Sequence, residues 1–285
     1  MTRKPRVAIV GAGRLANSLV PALRESGYTI TEIIGRDSKR SRLSARRLAA
    51  KVGARAGTAQ SATLDAELLW FCVPDREIRS AALSLTHRNS PGRVRFAFHS
   101  SGALASSELS TVHKRGVSVA SVHPLMTFVP GARPSLGGVP FALEGDVAAL
   151  RIARRIVRDL GGESFPIPAQ RKAAYHAWAT MTSPLLLAFL VTLEDAARAA
   201  GLTRQDARRK SMPIIRQTLA NYAHLGPEHS FSGPVIRGDA GTVAKHLAML
   251  RRQPEARAVY MALARSALRR LPVKNRKELR RLLQD

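Results

Sequence analysis

The stretch VAIVGAGRLANSL, residues 7–19, constrains the fold more than any other part of the chain. Four apolar residues end at Gly11, and a helical pattern opens at Arg14. A short apolar strand turning at once into a helix is the start of a βαβ unit. Gly11, Gly13 and Ala16 read G-x-G-x-x-A. Gly11 permits the tight turn, Gly13 lets the backbone approach a pyrophosphate, and Ala16 lets helix and strand pack closely. The helix start offers unpaired N–H groups and a positive dipole end, with Arg14 and Leu15 as further candidate contacts.

The rest of the first half repeats the alternation. Strands are expected at 6–10, 29–34, 68–73, 94–98, 117–122, 139–143 and 163–166, with helices at 14–26, 37–51 and 147–160 and another capped by Asp75. Such alternation predicts an α/β domain, a doubly wound parallel sheet covered on both faces. After Pro168 the pattern becomes helical throughout: 171–200, 204–223, 240–252, 254–271 and 274–283, with Pro184 set to kink or break the first. The 285 residues, 45% apolar, are therefore read as two domains. Residues 1–167 form the sheet domain that takes the nucleotide, and 168–285 form an all-α domain for substrate and dimerisation.

The end of the second strand selects the coenzyme. NAD sites place a carboxylate there, whereas this chain reads IIGRDSKRSR. Arg36 and Ser38, with Lys39 and Arg40 beside them, suit a 2′-phosphate, so NADPH is expected. Asp37 or Ser38 caps the next helix. Ligands sit beyond the carboxyl ends of parallel strands, which singles out Val73 and Pro74, then His99, Ser100 and Ser101, then His123. A histidine can pass a proton to a carbonyl or imine under reduction, and Ser100 or Ser101 can hold the substrate or the nicotinamide carboxamide. In the helical half, Lys172, Tyr175, His176 and Ser183 share one expected helix, and Lys172 and His176 are candidate catalytic groups. Arg237 is a candidate clamp for a substrate carboxylate, and Asp239 a helix cap. No metal-ligand spacing is present.

The net charge of +26 raises the question of a polyanion partner. Of the 46 basic residues only nine are lysine, and they scatter over helix faces with few aromatics between them, which argues against nucleic acid and leaves steering of an anionic substrate. Even the densest stretch, 251–285, reads as solvated helix faces. Cys72 is the single cysteine, so no internal disulfide can form. No signal sequence is recognised, and 184–193 is too short an apolar run to span a bilayer, so a cytoplasmic protein without a membrane segment is expected.

The motifs GAGRLANSL, FCVPD, HSSGAL, SVHPLMTF, YHAWATMTS and PVIRGDAGTVAKHL, in this order, resemble a bacterial family of Rossmann-like proteins with a DUF2520 C-terminal domain. The similarity extends to about residue 271. More widely the chain is similar to the 6-phosphogluconate dehydrogenase-like superfamily, which holds pyrroline-5-carboxylate, ketopantoate and F420-dependent NADP reductases and prephenate dehydrogenases. That resemblance implies an NADP-binding domain, a helical domain that forms a homodimer, and an active site between the two. HPLM at 123–126 looks like the HPM or HPI loop of prephenate dehydrogenases, which implies a catalytic His123 and a catalytic serine near Ser101. Two positions depart from the relatives: Pro184 stands where many carry asparagine, and His176 follows Lys172 where ketopantoate reductases have asparagine. The expected function is NADPH-dependent hydride transfer to a small carbonyl or imine, ketopantoate being one candidate. The alternatives are a non-catalytic NADP-binding regulator with a basic surface for nucleic acid or an acidic partner, and F420-linked hydride exchange.

Overall fold

Strands whose every side chain is apolar cannot tolerate water on either face, and helices must cover both. VAIV (β1, Val7–Val10) and LLWF (β4, Leu68–Phe71) are buried at all four positions. The computed structural model, which describes residues 3–88 and 92–284, places them side by side at the centre of an eight-stranded sheet. The other strands are β2 (Ile30–Gly35), β3 (Arg55–Thr58), β5 (Phe96–His99), β6 (Ser118–Pro124), β7 (Pro140–Gly145) and β8 (Glu163–Pro166). The order is β3-β2-β1-β4-β5-β6-β7-β8. Its first six strands are parallel and follow the doubly wound pattern, with the order reversing between β1 and β4.

The helices are α1 (Arg14–Glu25), α2 (Lys39–Ala50), α3 (Ile78–Arg88), α4 (Ser110–His113), α5 (Val147–Asp159), α6 (Lys172–Thr182), α7 (Pro184–Ala197), α8 (Arg204–Ser230), α9 (Pro234–Arg237), α10 (Ala240–Met249), α11 (Pro254–Arg270) and α12 (Arg276–Leu282). One apolar cluster joins α1, α2 and α5 to the sheet through Leu19, Leu48, Trp70 and Ile156. A second, around Phe71, Ile78, Leu85 and Val112, seats α3 and α4.

The chain divides into two compact units, Met1–Thr180 and Met181–Asp285. The change of sequence character at 167 comes earlier, because the fully buried Lys172 and buried Tyr175 tie the start of α6 to the sheet unit. In the second unit, α7 packs on α8 and α11, while Val243, Met261, Leu268 and Leu279 form a core between α10, α11 and α12. Asp239 caps α10 as expected, accepting from Thr242 N at 2.9 Å.

Several local expectations need correction. β3, RAGT, was not anticipated: it is a half-buried edge strand with no apolar run to reveal it. β7 runs antiparallel to β6, so the sheet is mixed at that edge. Asp75 caps no helix; it opens a one-turn 3-10 segment, Asp75–Glu77, whose N-terminus has no side-chain cap. Ser38 rather than Asp37 caps α2, and Asp37 pairs with Arg42. Pro184 does break the helix expected at 171–200, at Ser183 (φ −123°, ψ −73°), and opens α7; what fails is that Ser183 shares a helix with Lys172. The helix from Arg204 runs on to Ser230 across a kink at Gly226. Within Ala169–Ala200, which Ser183 divides, one 18-residue window reaches a mean hydropathy of 1.4 with only 6% of it buried. By length and composition this stretch passes for a membrane span, while the run 184–193 by itself remains too short for one.

Candidate active site

The reversal of strand order between β1 and β4 opens a crevice at their carboxyl ends. It holds about 830 Å³, and Gly11, Gly13, Arg36, Ser38, Val73 and Pro74 are among its lining residues. Gly11 sits at φ +104°, and a Cβ there would lie 2.5 Å from the Cys72 carbonyl oxygen. The glycine is thus demanded by the fold. Gly13 is different: a Cβ there would meet only Cys72 O, at 3.8 Å. Among the described residues no other atom comes within 4 Å of that position and no side chain caps α1, so its first N–H groups face an open cradle. A pyrophosphate fits this arrangement in charge and in space.

Leu15 and Ala16 do not line the crevice. Ala16 is fully buried and Leu15 packs against the core, so both serve the helix–strand contact. Arg14 is exposed at the start of α1 and is likewise absent from the lining. At the far end, Arg36, Ser38 and Arg40 stand on one wall, and Glu77, Ser80 and Ser84 on the other.

A second cluster forms where β5 and β6 end beside α6, all within the first unit. The Tyr175 hydroxyl and His123 Nδ1 share a hydrogen bond of 2.7 Å. Burial pushes the Tyr175 hydroxyl up to about 12 and holds His123 down to about 4, with the nearby Lys172 ammonium acting in the same direction. His123 is therefore neutral at pH 7. His176 is half-exposed, its ring centroid 6.2 Å from that of His123. Both rings press on Gly102: a Cβ there would lie 2.6 Å from His176 Cδ2 and 2.9 Å from His123 Nε2. Only glycine lets the β5 loop pass under the two imidazoles.

The remaining expected groups take supporting roles. Ser101 is 3% exposed, and its hydroxyl is fully engaged: it donates to Asp75 Oδ2 at 2.6 Å and accepts from Ala103 N and Leu104 N. It shapes the loop and has no hydrogen-bonding capacity left for a substrate. Lys172, 2% exposed, donates to Ser101 O at 2.8 Å and Ser121 Oγ at 2.5 Å. Burial lowers its ammonium to about 8 against the pull of Glu144 and Asp75. It clamps two strand ends together and faces no open space. His99 is entirely buried; Nδ1 accepts from Ser101 N and Nε2–H donates to Ala105 O. Ser100 accepts from the Trp70 indole at 2.9 Å and keeps its own proton free to donate. Arg237 is exposed at the end of α9, in the second unit.

Three participants were not assigned from sequence. Tyr175 was noted on its helix, but nothing in the spacing paired it with His123. Trp70 looked like core, and Glu77 carried no motif signal.

An open cradle at a helix start, at the switch point of a doubly wound sheet, defines a dinucleotide-binding class of fold. The comparisons narrow that class. Residues 6–94 match the family described as NADP oxidoreductase coenzyme F420-dependent, and residues 139–267 match the domain of unknown function DUF2520. The chain is a Rossmann-like protein carrying a DUF2520 domain, as its motifs implied. Protein TM1727 from Thermotoga maritima is similar at 27% identity and a TM-score of 0.72, over 91% of this chain and 95% of that one. A protein described as an NADP oxidoreductase from Bacteroides fragilis shares 22% identity and a TM-score of 0.73, over 92% and 97%. An imine reductase from Myxococcus stipitatus in complex with NADP+ shares the fold at 16% identity and a TM-score of 0.64, over 93% and 94%. No curated protein matches the chain.

Proposed function

We propose that the protein is an NADPH-dependent reductase of a small carbonyl or imine compound. The observation that carries this reading is the crevice itself: an open cradle at Gly13 and cationic Arg36 and Arg40 at the other end, with the imidazoles of His123 on β6 and His176 on α6 in the same unit. The NADP+ complex of the imine reductase and the description of the Bacteroides protein support the same coenzyme.

NADPH supplies the hydride. The chain's residues do the rest. The N–H groups of α1 take the diphosphate, and Arg36 with Ser38 takes the 2′-phosphate. Neutral His123, oriented by Tyr175, donates Nε2–H to the oxygen or nitrogen that gains negative charge. A neutral imidazole can polarise such an atom without giving up its proton. His176, the more accessible ring, delivers the proton. Ser100, held by Trp70, donates to the carboxamide or the substrate.

Arg36→Ala should weaken NADPH by about tenfold or more and leave NADH nearly unchanged, since a charge-assisted phosphate contact is worth ~1.5–3 kcal/mol. Titrating both coenzymes by fluorescence checks this; equal losses for both would refute the 2′-phosphate assignment. A panel of 2-oxo acids and cyclic imines then tests turnover, and His176→Phe should abolish turnover while binding persists.

The helical unit supports a homodimer. Met181 at the end of α6, Leu185, Leu187 and Val191 on α7, and Ile214 and Leu225 on α8 are exposed apolar side chains. A second copy would remove this apolar surface from water. Sedimentation should show a dimer, and Leu187→Arg should shift it to monomer. A monomer that floats with lipid vesicles would instead assign the face to a membrane.

A further inference from the structure

The guanidinium expected to read the coenzyme's extra phosphate already has an anionic partner. Arg36 Nη1 donates to Glu77 Oε1 at 2.9 Å. The pair crosses the crevice, joining the loop after β2 to the 3-10 turn that leads into α3, and both residues line the space between. The two partners are unequal. The Glu77 side chain is 19% exposed and Arg36 70%. The carboxylate is seated, its backbone N–H bound to Pro74 O at 2.8 Å, whereas the guanidinium reaches across to it. Nothing else in the fold needs this contact: a largely solvated ion pair adds little stability. Its position in the coenzyme crevice gives it another use.

From this geometry we infer that Glu77 is a specificity-determining residue, which competes with the 2′-phosphate of NADPH for Arg36 and so limits the preference for NADPH over NADH. The inference rests on the coenzyme reading above. A 2′-phosphate brings about two negative charges to the cation that Glu77 holds. Either the ion pair opens, or phosphate and carboxylate share one guanidinium and repel each other. NADH carries no such phosphate, so the pair persists when it binds. Glu77 thus acts against one coenzyme and is indifferent to the other.

The test is a cycle of Glu77→Gln, Arg36→Ala and the double variant, read as Kd for NADPH and NADH at low ionic strength. Glu77→Gln should tighten NADPH roughly two- to fivefold, the scale of an exposed ion pair, and move NADH less than twofold. The gain should vanish in the Arg36→Ala background, because no cation remains to compete for. Glu77→Ala, with an unchanged thermal midpoint, should show the same direction. NADPH binding that weakens in Glu77→Gln would mean that the carboxylate aligns Arg36, and would overturn the inference. So would parallel shifts for both coenzymes, or a gain that survives Arg36→Ala. A wild-type protein that does not prefer NADPH fails at the earlier step and takes the coenzyme reading down with it.

Discussion

Gly11→Ala should cost the fold about 2–4 kcal/mol and abolish coenzyme binding, while Gly13→Ala should leave stability within about 1 kcal/mol and abolish binding alone. The two glycines stand two residues apart, yet the physics differs. Gly11 has φ +104°, which an L side chain adopts only under strain. Its added Cβ would lie 2.5 Å from Cys72 O, 2.9 Å from Cys72 C and 3.0 Å from Val73 Cγ1. That carbonyl cannot simply retreat, because Cys72 N donates to Val10 O at 2.7 Å, and Gly11 N donates to Ile34 O at 2.8 Å. Three central strands would have to adjust together. At Gly13 the backbone is at φ −80°, and the nearest contact of a new methyl would be an ordinary 3.8 Å. What the methyl would occupy is the cradle at the start of α1. Urea unfolding and NADPH titration of both variants separate the effects. If Gly13→Ala binds NADPH as the wild type does, the diphosphate does not lie on this loop.

That contrast also shows where sequence reading succeeds and where it stops. The G-x-G-x-x-A pattern was legible because its context was local: a strand, a turn and a helix within one short stretch. β1 and β4 were legible because strands buried on both faces have to be apolar throughout. β3 was not, because a half-buried edge strand needs no such run. The site divides in the same way. Residues after strand ends could be nominated from topology, and His99, Ser100, Ser101 and His123 do gather there. Their roles could not, because these are set by partners far away in the chain. Asp75 looked like a cap until its carboxylate was seen on Ser101. Ser100 and Ser101 are adjacent and chemically alike, yet one faces Trp70 with its proton free and the other is consumed by the loop. Lys172 is a candidate catalytic group in sequence, and burial makes it a clamp.

Burial also gives the protein a specific weakness to mild acid. His99 and His123 are both held down to about 4, chiefly because the imidazolium form is desolvated where they lie. In the unfolded chain each takes up a proton near 6.5. Between about pH 6.5 and 4 the unfolded state therefore binds more protons, and stability falls as pH falls. The contribution is complete above 6.5 and is lost as the pH drops towards 4. For the pair the loss from pH 7 to pH 5 is on the order of 2–4 kcal/mol. Glu194, held below its ordinary 4.5 by the hydrogen bond from Arg208, adds to the loss at the acid end of this window, while the remaining shifted groups act outside it. Lys172, lowered to about 8, is charged in both states throughout it. Asp159, Asp206 and Asp239 lie below their ordinary 3.8, so what they contribute is lost only in stronger acid. Urea midpoints at pH 7.5, 6 and 5 should decline steadily, and His123→Asn should remove about half the slope. A midpoint constant across that range would mean that the folded protein carries both protons. His123 would then be an imidazolium at pH 6, able to act as the proton donor itself, and the neutral polarising role proposed for it would be wrong.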